Sequence, residues 1–124
     1  MAVKVVDASA IAALLFGEPE AEVVASALDG AELVAPTLLN FELSNVCLTK
    51  CRRHPDLRDA LRAAFQLRGR LGIAETAVNH GDALELALKS GLTAYDASYL
   101  LLAQKLGVEL VTLDEALTRA ATAK

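Results

Sequence analysis

The chain reads as an α/β protein, a short parallel sheet with helices against both of its faces. Three observations point there. Short apolar or β-branched runs alternate with helical patterns along the whole length, the signature of strand–helix–strand crossovers. Hydrophobic residues make up 54% of the sequence but aromatics only 4%, and alanine and leucine dominate, so helices pack through small aliphatic side chains. At 124 residues the chain fits one domain, 1–124, large enough to bury a core without disulfides or a structural metal.

The elements follow in order. "KVVDASA" opens with a β-branched strand, Val3 to Val6, that stops at Asp7. "IAALLFGEP" is a short helix ended by Gly17 and Pro19, and "EAEVVASALDG" an amphipathic helix with acids in its first turn and a stop at Gly30. "ELVAP" is a second strand. The long helix "PTLLNFELSNVCLTKCRRH" comes next, with Pro36 near its first turn and Pro55 after its end. "PDLRDALRAAFQLRGRLG" reads as one further helix, with Leu57, Leu61 and Phe65 at spacing four. "IAETAV" is a weak third strand. Asn79 caps "HGDALELALKSG", and Thr93 caps "AYDASYLLLAQKLG", which has almost no polar face and must be largely buried. "VELVTLD" is a clear strand and "EALTRAATAK" a closing helix.

Composition also excludes whole classes. No apolar run approaches the ~18 residues that span a bilayer, and Asp7 interrupts the first apolar stretch, unlike a signal peptide. A cytoplasmic protein with no membrane partner is expected. The net charge of −4 argues against a cation that coats nucleic acid. Even so, seven of the twelve Lys and Arg residues fall between Lys50 and Arg70, against Asp56 and Asp59 alone, so a local basic patch or a solvated helix face lies there. Cys47, Cys51 and His54 share one helical face, but a tetrahedral zinc site wants a fourth ligand and none is near in sequence. Two reduced thiols on a helix are the simpler reading.

In open parallel sheets, ligands bind at the carboxyl ends of the strands, where the strand order reverses. Asp7 and Asp114 each follow a strand, so both should point toward one rim. Each also has a plain alternative as the cap of the next helix. Asp96, third after Thr93, suits a first helical turn and complements the dipole. Glu42 is harder to explain this way. Its helical neighbours Leu38, Leu39, Asn45, Val46 and Thr49 are mostly apolar, and no Lys or Arg stands three or four residues away. A carboxylate in an apolar stripe loses hydration unless something pairs with it. Setting Asp7, Glu42, Asp96 and Asp114 aside leaves twelve acids against twelve bases, so these four would carry the net charge if they cluster. Two carboxylates about 5 Å apart repel by roughly 3 kcal/mol at an effective dielectric near 20. Four together call for a divalent ion, and all-oxygen ligation suits Mg²⁺ or Mn²⁺ better than zinc or copper.

The segments "VVDASA", "APTLLNFELSN" and "GLTAYDASYLLLAQKLGVELVTLDEAL" occur in the order and spacing of PIN-domain proteins. The chain resembles that family over essentially its whole length, and more closely the VapC-type toxins of bacterial and archaeal toxin–antitoxin pairs. The last segment is the most specific. The resemblance implies a three-layer α/β/α sandwich and a metal-dependent endoribonuclease, with the family's acids falling on Asp7, Glu42, Asp96 and Asp114. Ser9, Asn45 and Thr112 match polar positions that line such sites. In that scheme Asp7 and Asp96 hold the principal Mg²⁺ (or Mn²⁺), Glu42 and Asp114 complete the carboxylate set, and in-line attack leaves a 5′-phosphate and a 3′-hydroxyl. A homodimer and a cognate antitoxin that blocks the acidic groove are implied as well. Use of the Lys50–Arg70 stretch for RNA is not a family signature.

Rival readings are poorer. A metal-free ribonuclease commonly needs paired histidines, and only His54 and His80 exist. A phosphatase built on Asp7 would want an acid two residues later, where Ser9 stands; a phosphoacceptor would want a lysine after the late strand, and "VTLDEAL" has none. From another class comes a non-catalytic protein-binding module whose acidic groove docks a basic partner.

Overall fold

The β-branched N-terminal run forms β1 (Val3–Val6), and the sheet places it as an inner strand. The computed structural model describes residues 1–123. After β1 come α1 (Ala8–Phe16), α2 (Ala21–Leu28), β2 (Glu32–Pro36), α3 (Leu39–Arg53), α4 (Arg58–Gln66) and β3 (Ala74–Thr76). The second half adds α5 (His80–Ser90), α6 (Ala94–Leu106), β4 (Glu109–Val111) and α7 (Glu115–Thr122). All pairings are parallel, in the order β3-β2-β1-β4. Val5 is the pivot, opposite Val34 of β2 on one side and Leu110 of β4 on the other.

That order explains the layers. From β1 to β2 to β3 the chain steps one way, then returns past β1 to reach β4. Right-handed crossovers therefore put α1 to α4 on one face and α5 and α6 on the other. Packing agrees: α1 meets α2, α3 and α4, whereas α6 packs on α5 and lies against β1, β2 and β4. The result is the three-layer α/β/α sandwich, and the reversal of direction falls between β1 and β4.

The core follows the sequence pattern. Val5, Val6, Ile11, Leu43 and Leu117 are fully buried and join the two helical layers to the sheet. In α6 every residue from Ala97 to Ala103 is buried, as an element with no polar face requires. Gly107 ends α6 with φ 66, and the Val108 amide turns back to the Ala103 carbonyl at 3.1 Å, which launches the chain into β4.

Two expectations need correction. Pro36 closes β2, as the strand "ELVAP" ending in proline implies, but the long helix starts only at Leu39, after a turn at Thr37 and Leu38, so Pro36 is not near its first turn. The stretch from Pro55 to Gly72 is not one helix. His54 leaves the helical conformation ahead of Pro55, with φ −131 and ψ 70, a 3₁₀ turn spans Pro55–Leu57, α4 follows, and a second 3₁₀ turn spans Leu67–Leu71. Gly69 and Gly72 weaken helix continuation there, and the leucine spacing alone did not show it. Lys124, placed in the closing helix by its sequence, lies outside the described residues.

Candidate active site

Asp7 stands where β1 ends, at the reversal point of the sheet. Its amide extends the β1–β4 ladder by donating to the Val111 carbonyl at 3.3 Å, and its side chain then caps α1. Oδ1 accepts from the Ala10 amide at 3.1 Å and from Ser9 Oγ at 2.7 Å; Oδ2 accepts from Thr112 Oγ1 at 2.5 Å. The two hydroxyls are themselves anchored. Ser9 Oγ accepts from the Leu113 amide at 2.9 Å, and Thr112 Oγ1 accepts from the Asp114 amide at 3.0 Å. Each hydroxyl has one proton and gives it to Asp7. The loop after β4 thus grips the carboxylate after β1, and Asp7 is only 4% exposed.

Asp114 and Asp96 also start helices, as their positions suggested. Asp114 Oδ1 accepts from the Leu117 amide at 2.8 Å and caps α7. Thr93 caps α6 by accepting from the Asp96 amide at 3.1 Å, which leaves Asp96 half-buried in the first turn. Capping and site building are not rivals here, because a helix start at the carboxyl edge of the sheet delivers its acid to the rim.

Glu42 lies in the first turn of α3, half-buried, and accepts a 2.6 Å hydrogen bond at Oε1 from the hydroxyl of Tyr99. Tyr99 escaped the sequence reading. The available signal was its place one turn after Asp96, since a buried phenol needs a partner for its hydroxyl. Asn45 is different from the other polar positions. It is exposed, one turn beyond Glu42, and no hydrogen bond ties it to the acids among the described residues.

The electrostatics connect the four acids. Burial is the largest influence on Asp7, Glu42 and Asp96, and it pushes all three carboxyls above their ordinary range. Their neighbours' charges push the same way: Asp114 on Asp7, Asp96 and Asp7 on Glu42, Asp114 and Asp7 on Asp96. Hydrogen bonds from Thr112 and Ser9 to Asp7, and from Tyr99 to Glu42, oppose the rise. Among the described residues no Lys or Arg forms an ion pair with any of the four.

Donor chemistry therefore fits a hard divalent cation: several carboxylates, mutually repelling, with no cation from the protein. The acids sense one another but are separately tethered, and among the described residues no three His, Cys, Asp or Glu side chains converge as a ready ligand set. The thiol of Cys47 donates to the Leu61 carbonyl at 3.7 Å, and burial pushes it up, away from the thiolate that zinc ligation uses.

The basic stretch divides. Lys50 pairs with Glu18 at 2.9 Å and sits over the Phe16 ring; Arg68 stacks 3.9 Å from the Phe65 centroid and donates to Asn40. Arg52, Arg53, Arg58, Arg62 and Arg70 are exposed and make no ion pair among the described residues.

Comparison with known proteins bears on this site. The PIN domain family profile matches residues 4–123. The chain is 38% identical over 118 residues to Ribonuclease VapC3 of Pyrobaculum aerophilum, covering 91% of this chain and 90% of that one. The crystal structure of PAE2754 from Pyrobaculum aerophilum superposes with a TM-score of 0.78, covering 98% of this chain and 86% of that one. At 23% identity that likeness speaks for the fold alone. With the profile spanning nearly every residue and the rim acids standing where the strand order turns back, the chain belongs to the PIN-domain family, in its VapC-type branch.

Proposed function

We propose that this protein is a divalent-metal-dependent endoribonuclease, acting in the cytoplasm as the toxin of a toxin–antitoxin pair, with Mg²⁺ or Mn²⁺ as cofactor. The observation that carries the reading is the set of acids at the carboxyl rim, of which Asp7, Glu42 and Asp96 are raised by burial first and by neighbouring acids second, with no ion-pair partner among the described residues. Similarity to a ribonuclease over 91% of the chain supports the reaction class.

Asp7, Glu42, Asp96 and Asp114 would hold the ion. When bound, a divalent cation polarises water and offsets charge on the phosphate. The rest falls to the protein. Ser9 and Thr112 hold the Asp7 carboxylate in one orientation through its two oxygens. The α6 cap at Thr93 fixes the helix turn that carries Asp96. Asn45, exposed one turn from Glu42, would meet substrate rather than brace the acids. Similarity to a ribonuclease over 91% of the chain favours this reading over a non-catalytic acidic docking groove.

Asp96→Asn tests the assignment, because asparagine is tolerated near a helix start but carries no charge. The parent should cleave total RNA with Mg²⁺ or Mn²⁺ and gain melting temperature from the metal alone. The variant should lose cleavage and most of that gain. A variant that cleaves as well as the parent would sink the site. The reading also includes a homodimer and an antitoxin whose arginine reaches the carboxylates in place of the cation. Mass measurement of the protein, alone and coexpressed with its neighbouring gene product, checks both; a monomer that ignores that product counts against them.

A further inference from the structure

The centre of α6 is apolar, yet Tyr99 sits there, 1% exposed, with its hydroxyl donating to Glu42 Oε1 at 2.6 Å. The bond crosses the sandwich. Glu42 rides on α3, in the layer that packs with α1 and α4, whereas Tyr99 rides on α6, against β1, β2 and β4. For stability alone this is an odd choice. A phenylalanine would fill the same space, and Glu42 would be less costly turned to water, because burying a hydrogen-bonded acid rarely gains much over an apolar contact. Nothing else in α3 braces Glu42. The leucines at Leu38, Leu39 and Leu43 offer no donor, and the carboxylate has no cation among the described residues.

On the metal-nuclease reading above, we infer that Tyr99 is a positioning residue of the centre, holding Glu42 by Oε1 so that its other carboxylate oxygen is left for a divalent cation. The phenol is suited to this. A neutral donor steadies the carboxylate without neutralising it, whereas a lysine or arginine would displace the metal. Tyr99 lies one turn along α6 from Asp96 (three residues apart), so the same helix turn carries one metal-facing acid and orients another.

The test is Tyr99→Phe in the full chain, read first by Mn²⁺ titration of melting temperature without RNA. The half-saturating Mn²⁺ concentration should rise about three- to tenfold, and kcat should fall on the order of tenfold with KM for RNA unchanged, as when a ligand loses its orienting partner. Pairing with Glu42→Gln separates positioning from packing. In that background Tyr99→Phe should shift the Mn²⁺ titration no further. A lowered melting temperature with an unmoved titration, or equal shifts in both backgrounds, overturns the inference. Should Tyr99→Phe show no cooperative unfolding, Glu42→Gln alone decides, because glutamine still accepts from the phenol; an unmoved titration there also overturns it. A parent that cleaves RNA but takes up no Mn²⁺ overturns the metal reading and this inference together. A parent that binds Mn²⁺ beside an unaltered Tyr99→Phe overturns this inference alone.

Discussion

Lys4 and Asp7 sit three residues apart, toward opposite ends of the inner strand β1, and are treated in opposite ways. Lys4, toward the amino end of β1, donates to the Ala27 carbonyl at 2.6 Å and pairs with Glu109 at 3.4 Å. Asp7, at the carboxyl end, takes three hydrogen bonds but no cation. Three further acids find bases: Glu18 with Lys50, Asp82 with Lys105, Glu115 with Arg119. So the fold can neutralise charge internally and does so away from the carboxyl rim. At the rim it supplies hydroxyls to Asp7 and Glu42 and, among the described residues, no ion-pair partner.

The largest expected effect removes charge from the rim while keeping the cap. Asp7→Asn should lower RNA cleavage by on the order of 100- to 1,000-fold. Because asparagine caps a helix as well as aspartate, its melting temperature should stay within about 4 °C of the parent. Cleavage retained to within threefold would erase the distinction between the two ends of β1. A cation supplied by the protein should break the contrast from the other side. Asn45→Lys puts an ammonium one turn from Glu42, and the Mn²⁺ needed for half-saturation should rise roughly two- to fivefold. An unchanged titration would mean that Asn45 points away from the shared charge.

The effect of pH is smaller and its sign is unusual. Asp7, Glu42 and Asp96 are all raised in the folded state, so between the unfolded and folded values the native protein holds more protons. Stability without metal therefore falls as pH rises through that window, starting near pH ~4, and levels off above it. With metal the trend opposes this, since the ion binds the ionised form. Comparing metal-free Asp96→Asn with the parent, the melting-temperature gap should move toward the variant by a few degrees between pH ~4 and ~7. A gap that moves toward the parent would reverse the assigned direction. The smallest effect belongs to the amino end. Lys4→Met should cost about 1 kcal/mol or less, seen as a slightly lower melting temperature, with cleavage and the Mn²⁺ titration unchanged.

Much of this was legible before any coordinates, for local reasons. Thr93 ahead of Asp96, and Asp114 ahead of "EAL", are cap signals whose partners lie within a few residues, and both caps form as read. Glu42 stood out because its own helix offered it no partner. What supplies the partner, Tyr99, lies 57 residues away, and no spacing rule spans such a distance. Ser9 and Thr112 match the family's polar positions, but their joint grip on Asp7 depends on β4 pairing beside β1, a consequence of topology. The same limit applies to the stretch after Pro55, where leucines at spacing four suggested a continuous helix and the glycines ended it early.

The strand order also determines what can be divided. Asp7 and Thr112, whose hydroxyl grips it, arrive from opposite ends of the polypeptide, with Asp114 beside Thr112, and meet only because β4 docks against the first strand. A cut in an intervening loop, such as the exposed bend at Gly91, would leave two inert pieces, each with part of the acid set. Reassembly of the sheet would restore it, so RNA cleavage by mixed fragments could serve as a readout of whether two halves have found each other.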